Sequence, residues 1–163
     1  MHDQSVAVFD HFLGALSKVL AKAEAHCEAR KIDPAALLTA RLFPDMFTFT
    51  RQVQLATDFA KGPSARLAGV DIPSFEDTET TFGTLQARIA KTREFLATIT
   101  PAMLDGAAMR TIRFRARGQD HEAPGQAYLS MVALPNFYFH TTTAYNILRH
   151  NGVELGKGDF VGR

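Results

Sequence analysis

With 163 residues, of which 46% are hydrophobic and 21% charged, the chain has the composition of one ordinary globular domain and enough length to bury a core without disulfides or a structural metal. Its 18 Lys and Arg against 17 Asp and Glu leave a net charge of +1, so no global field argues for nucleic acid or an anionic membrane as partner. The lone cysteine, Cys27, excludes an internal disulfide, and the absence of a secretory leader pattern or of a run near about 20 apolar residues sets the expectation of a soluble, cytoplasmic protein.

The first helix is expected from about Ser5, a capping residue, to Arg30. Phe9, Phe12, Leu13, Leu16, Val19, Leu20, Ala23 and Cys27 recur on it at the spacing of an apolar stripe. Cys27 therefore reads as a small core residue rather than a stabilised thiolate. Asp33-Pro34 opens a short helical turn, a capping carboxylate followed by a proline at the first helical position. Leu42, Phe43, Met46 and Phe47 then read as an ordered connector that plugs the end of a bundle, with Asp45 capping the next helix.

That second long helix is expected from about Met46 to Ala68, with Gly69 as its stop and Gly62-Pro63 as a kink or break. Phe49, Val53, Ala56 and Ala60 form a small apolar side, while Arg51, Gln54 and Asp58 align on the other, either as a solvated face or as part of a site. After a loop, Ser74 or Asp77 caps the third long helix, where Glu76, Asp77 and Glu79 suit the positive end of the helix dipole. Phe82, Leu85, Ile89, Leu96 and Ile99 are its buried stripe, and Gln86, Arg88, Lys91 and Arg93 are assigned to water. Thr100-Pro101 ends it.

The period then changes from helix to strand. From Arg110 to Arg117, Ile112, Phe114 and Ala116 alternate with Arg113, Arg115 and Arg117, which predicts a half-buried strand, a turn at Gly118-Gln119-Asp120 and a return strand over His121 to Ala123. The arginines lack interleaved aromatic platforms and lie near Asp120 and Glu122, which favours a solvated strand face over a nucleic-acid surface. The fourth long helix begins near Gln126 and is bent by Pro135, which frees backbone carbonyls that Asn136 can satisfy. Leu129, Ala133, Phe137, His140, Ala144, Ile147 and Leu148 share one side, so His140 points toward the core, and Asn151-Gly152 closes the helix.

The segments Leu134-Pro135-Asn136-Phe137-Tyr138-Phe139-His140, Thr142-Thr143-Ala144-Tyr145 and Ile147-Leu148-Arg149-His150-Asn151-Gly152 occur together with Arg41, Pro44-Asp45-Met46-Phe47, Arg51-Gln52-Val53-Gln54 and Ser74-Phe75-Glu76-Asp77. In this combination the chain resembles, over nearly its whole length, an uncharacterised bacterial family within the DinB/YfiT-like superfamily of four-helix bundles. The resemblance implies an all-α, up-down-down-up bundle with a small β-hairpin between the third and fourth long helices, commonly dimeric, with a pocket at one end. It also implies, for many superfamily members, a zinc or nickel ion held by one histidine on the second helix and two histidines four apart on the fourth. Such members include thiol-dependent transferases and hydrolase-like proteins.

The ligand positions depart from that pattern. His140 matches one histidine of the fourth-helix pair, but Asn136 and Ala144 stand one turn either side of it, and Gln52 and Gln54 occupy the region of the second-helix ligand. His150 is about 15 Å farther along the helix. Three readings follow. The first is a metal-free small-molecule binding or sensing protein whose pocket uses Arg51, Gln52, Gln54, Asn136, His140 and Tyr145 as its convergent polar groups. The second is a divalent-metal-dependent thiol transferase or hydrolase with altered ligands, His140 with Asp58 or His11. The third is an interaction module, in which Leu134, Tyr138 and Tyr145 form a second apolar stripe that a homodimer covers. The glycine-rich tail with Phe160 is expected to fold back, as a candidate lid over the pocket mouth.

Overall fold

The computed structural model describes residues Met1–Arg163. Four long helices share one core: α1 (Val6–Arg30), α3 (Phe49–Ala68), α4 (Phe82–Ala97) and α6 (Leu134–His150). Shorter elements join them: α2 (Pro34–Leu38), the strands β1 (Thr111–Ala116) and β2 (Gln119–Pro124), α5 (Gly125–Tyr128) and a terminal α7 (Lys157–Val161). None of the helices is long and apolar enough to cross a membrane.

Local chemistry sets most of the boundaries. Asp33 accepts the Ala35 amide at 3.0 Å to start α2, with Pro34 at the first position. α3 starts later than expected, because Thr48, not Asp45, is its capping residue. Leu42, Phe43 and Phe47 do not plug the bundle; all three stand exposed in the connector. Pro63 does not break α3, which continues through it to Ala68 and stops at Gly69, whose φ of 73° suits a residue without a side chain. α4 is capped by Thr81 and Thr84, which exchange side-chain and backbone hydrogen bonds, rather than by Ser74 or Asp77.

Pairwise contacts give the helix directions. Arg93 and Gln86 of α4 meet Asp10 and Ser17 of α1 at 2.7 and 2.6 Å, so these two helices run in opposite senses. Phe82 and Arg88 of α4 meet Phe49 and Thr57 of α3, numbers rising together. The extended segment 70–81 makes that parallel pairing feasible, since about 12 residues at roughly 3.3 Å each span more than the roughly 30 Å length of α3. On α6, Phe137 and Tyr138 pack edge-on against Phe9 and Phe12 of α1 at 4.9 and 5.1 Å.

β1 and β2 pair antiparallel, Ile112 opposite Ala123 and Phe114 opposite His121. The turn is Arg117-Gly118, with φ of 51° and 77°, one position earlier than the sequence suggests. After the hairpin the chain passes close to its own backbone: Gly125 donates to Arg110 O at 2.9 Å, and a Cβ there would stand 2.0 Å from Ala107 O. That approach admits only glycine. Gly125→Ala is therefore expected to destabilise the protein by about 2 kcal/mol or more, since the nearest contact is a backbone carbonyl that cannot swing aside; urea unfolding of the two proteins measures the difference.

Candidate functional site

The end of the fold nearest β1 holds the chemistry. α5 does not pass directly into α6. Residues Leu129–Ala133 form a turn of π-helix, in which the Leu134 amide reaches back to Leu129 O. Pro135 has no amide to donate, and this wider turn accommodates the loss without a break. The Asn136 side chain donates to Val132 O at 2.7 Å, as the sequence suggests it can.

One turn on, His140 is only 7% exposed. Its Nδ1 lies 2.8 Å from Gln52 Oε1 on α3, and because a carbonyl oxygen can only accept, Nδ1 carries the proton. Gln52 Nε2 donates in turn to Phe47 O at 3.4 Å. The imidazole stacks on Phe59 with ring centres 5.5 Å apart and meets the edge of Phe139 at 5.3 Å. Ser64 Oγ is the only fully buried side-chain polar atom with no partner, so His140 Nε2, which has none, is open to solvent as an acceptor. Burial, with the Arg51 charge behind it, depresses the His140 pKa to about 4, against a weaker opposing pull from Asp58.

Beside it, the polar row of α3 is not a solvated face. Arg51 pairs with Asp77 and donates to Gln54 Oε1 at 3.1 Å, and Gln54 donates to Glu79 at 2.8 Å. Arg88, assigned to water by the sequence pattern, is only 4% exposed. Its guanidinium meets Thr57 at 2.7 Å, Asp58 and Asp77 at 3.0 Å and Glu79 at 3.1 Å. The connector carboxylates that look like helix caps thus serve as counterions to a buried cation.

A cavity of about 570 Å³ opens between β1, α3 and the π turn. Asp58, Phe59, Pro63 and Arg66 contribute from α3, Phe114, Arg115, Ala116 and Arg117 from the hairpin, and Tyr128, Val132 and Asn136 from the third side. Among the six pocket residues expected from sequence, only Asn136 lines this cavity. His140 sits one layer behind, with Phe59 as the partition, and Gln52 holds it there. Arg51 and Gln54 belong to the connector network. Tyr145 is elsewhere: it packs on Phe160 at 5.9 Å, and with Leu16, Val19 and Thr141 closes a small crevice against α1. In the Leu134, Tyr138 and Tyr145 stripe, the two tyrosines pack on Phe12 and Phe160 of the same chain, and all three residues are partly buried.

The tail does not cover this cavity. α7 docks on α1 through Lys22–Asp159 at 2.6 Å and the His11 ring nitrogen near Val161 O at 2.9 Å. His11 is therefore engaged away from His140. The sequence reading missed Phe59, Arg66, Tyr128 and Phe114; the spacing of Phe59, Pro63 and Arg66 along a second stripe of α3 was the available signal.

The three-histidine metal site implied by the superfamily does not fit these residues. Ala144 is fully buried and offers no donor, Gln52 is committed to His140, and no three His, Cys, Asp or Glu side chains gather as a metal site. Among solved structures, a crystal structure of a DinB family member protein from Shewanella denitrificans is 42% identical, covers 99% of this chain and 92% of its own, and superposes with a TM-score of 0.94. A buried single-histidine site on a helical scaffold with a β-hairpin is thus set in a DinB-like protein. The chain belongs to the family described as Domain of unknown function (DUF1993), whose model matches residues 1–161. No curated protein matches it.

The neutral buried His140 gives a pH dependence of defined sign. In the unfolded chain this histidine takes up a proton below about pH 6.5, whereas in the fold it resists to about pH 4. Stability from this group is therefore complete above pH 6.5 and is lost progressively as pH falls toward 4, by about 3 kcal/mol in all. Histidine NMR titration is expected to place its midpoint near pH 4, and the stability gap between wild type and His140→Gln should narrow over the same interval.

Proposed function

We propose that this protein is a small-molecule-binding or sensing member of its family, and that its ligand occupies the cavity between β1, α3 and the π turn. The observation that carries the reading is the cavity's construction. Its volume falls within the roughly 300–1,000 Å³ of small-molecule sites, and apolar and aromatic walls alternate with polar groups contributed by three separate parts of the chain. Val132 of the π turn forms one wall with Tyr128 and Asn136 on either side of it, and irregular helical turns of this kind recur at functional sites. The contact directions of the four long helices support the up-down-down-up order, in which this end of the bundle is left to be roofed by the hairpin. The donor chemistry around His140 supports a site that works without a resident metal.

A screen of small neutral and charged aromatic compounds by protein NMR tests this. Compounds that bind are expected to shift the signals of Val132, Phe59 and Asn136 and to lose that effect in Val132→Trp, which fills the cavity. Binding that leaves those signals unmoved overturns the assignment. So does stoichiometric zinc or nickel in untagged protein that is lost in His140→Ala, which favours the metal-dependent transferase or hydrolase reading.

A homodimer is a second element of the proposal. Its support is not the Tyr138 and Tyr145 stripe but the exposure of Met131 in the π turn and Phe139 on α6, 76% and 56% respectively, an apolar surface that solvent disfavours. Light scattering at micromolar concentration is expected to give twice the chain mass, and a monomer there overturns it.

A further inference from the structure

The cavity's charge is unbalanced in a way that points to its occupant. Asp58 is the only carboxylate on its walls, and it is already neutralised, lying 2.9 Å from Lys61 Nζ and 3.0 Å from Arg88 Nη2. Three arginines line the same space, Arg66, Arg115 and Arg117, and none of them forms an ion pair with a carboxylate. The Arg115 guanidinium donates to Gly118 O at 3.2 Å across the turn, which holds it at the hairpin tip.

Arg66 is the informative member. It is half-buried, and its Nη1 donates to the Tyr128 hydroxyl at 3.4 Å. The same Nη1 lies over Gly62, where a Cβ would stand 3.0 Å away, so the helix surface is cut back to let the guanidinium lie along it. A partly desolvated cation held by a hydroxyl and not by a counterion leaves donors free for an incoming anion, and a guanidinium presents them in the forked geometry that matches carboxylate and phosphate oxygens. Tyr128 is itself kept protonated by burial, its pKa raised despite the neighbouring Arg66, so its hydroxyl faces the cavity uncharged. Phe59, Phe114 and Tyr128 supply flat apolar walls around these donors, and Phe114 and Tyr128 lie 4.9 Å apart.

Building on the pocket reading above, we infer that the ligand is a small oxyanion, a carboxylate or phosphate ester, carried on a flat apolar or aromatic body. The anionic group is bound by Arg66 with help from Arg115 and Arg117, and the body lies between Phe59 and Phe114. The aliphatic parts of Pro63 and Val132 set its depth.

The test is a matched series of one ring bearing different charges: benzoate, phenyl phosphate, neutral benzamide and cationic benzamidine, titrated against the full chain by NMR and calorimetry. Benzoate or phenyl phosphate is expected to bind, whichever of the two is tighter identifying the oxyanion, with benzamide weaker by about tenfold or more, as expected for loss of a charge-assisted hydrogen bond, and benzamidine not binding. Arg66→Gln is expected to reduce the anion's affinity by a similar factor. The exposed Arg115→Gln/Arg117→Gln pair, which leaves the bundle core untouched, weakens it less, and Arg149→Gln on the far end of α6 leaves it unchanged. Equal binding of benzoate and benzamide at the cavity keeps the pocket and overturns the anion inference. Failure of all four compounds to perturb the cavity overturns both. Inorganic phosphate binding as tightly as phenyl phosphate overturns the role given to the aromatic walls.

Discussion

The buried guanidinium of Arg88 is the interaction on which the rest of this structure depends. It lies between α3 and α4 with its donors directed to Thr57, Asp58, Asp77 and Glu79, and to the backbone carbonyl of Glu76 at 3.0 Å. Charge burial of this kind is costly unless every donor finds an acceptor, and here the acceptors come from both α3 and the long connector. The connector is thereby fixed along the bundle, and α3 and α4 are held side by side in the same direction. Arg51 and Gln54 extend the clasp toward α3's start. Asp58 links it to the cavity, since the same carboxylate that meets Arg88 also lines the space beneath the hairpin.

A consequence follows for the charges around the cavity. Because Asp58 already serves two cations, it offers little to the arginines opposite, and their positive potential is left facing the opening. His140 responds to a different cation. The Arg51 charge adds to burial in keeping its imidazole neutral, so the ring behind Phe59 acts as a hydrogen-bonded spacer with one lone pair left over, not as a second cation. The site accordingly pairs a neutral interior with a cationic rim.

The long helices were legible in the sequence because their apolar residues recur at helical spacing over many turns, and stops such as Gly69 and Gly152 have a local cause, a backbone φ of 73° or 89°. The hairpin was legible from its alternation for the same reason. Arg88 was not, because an arginine between apolar positions looks solvated until the path of a distant connector is known. Asp77 and Glu79 were misplaced by the same gap: next to a helix start, a carboxylate reads as a cap unless its true partner is visible. His140 pointed inward as its spacing required, and Gln52 lay on the helix expected to face it. The cavity itself is a product of docking the hairpin against α3, a long-range event that periodicity within any one segment does not encode. Tyr145 shows the converse, an aromatic on a readable stripe whose partner, Phe160, is supplied by the tail.

The pairing of His140 with Gln52 shows how two polar side chains between α3 and α6 are satisfied by one another. Two polar groups facing each other between α3 and α6 must be satisfied, and a shared ion is one solution. An amide accepting from a neutral imidazole at 2.8 Å is another, and it needs only one histidine. Ala144, one turn along from His140, packs tightly and is fully excluded from solvent. The amide's remaining donor ties Phe47 O, so the exposed connector is anchored through the same bond chain that orients the ring. The open cavity lies on the other side of Phe59, between the π turn and the hairpin arginines. The hydrogen-bonded pair at the centre and the arginine-lined cavity at the edge are thus two sides of one arrangement, with Phe59 between them.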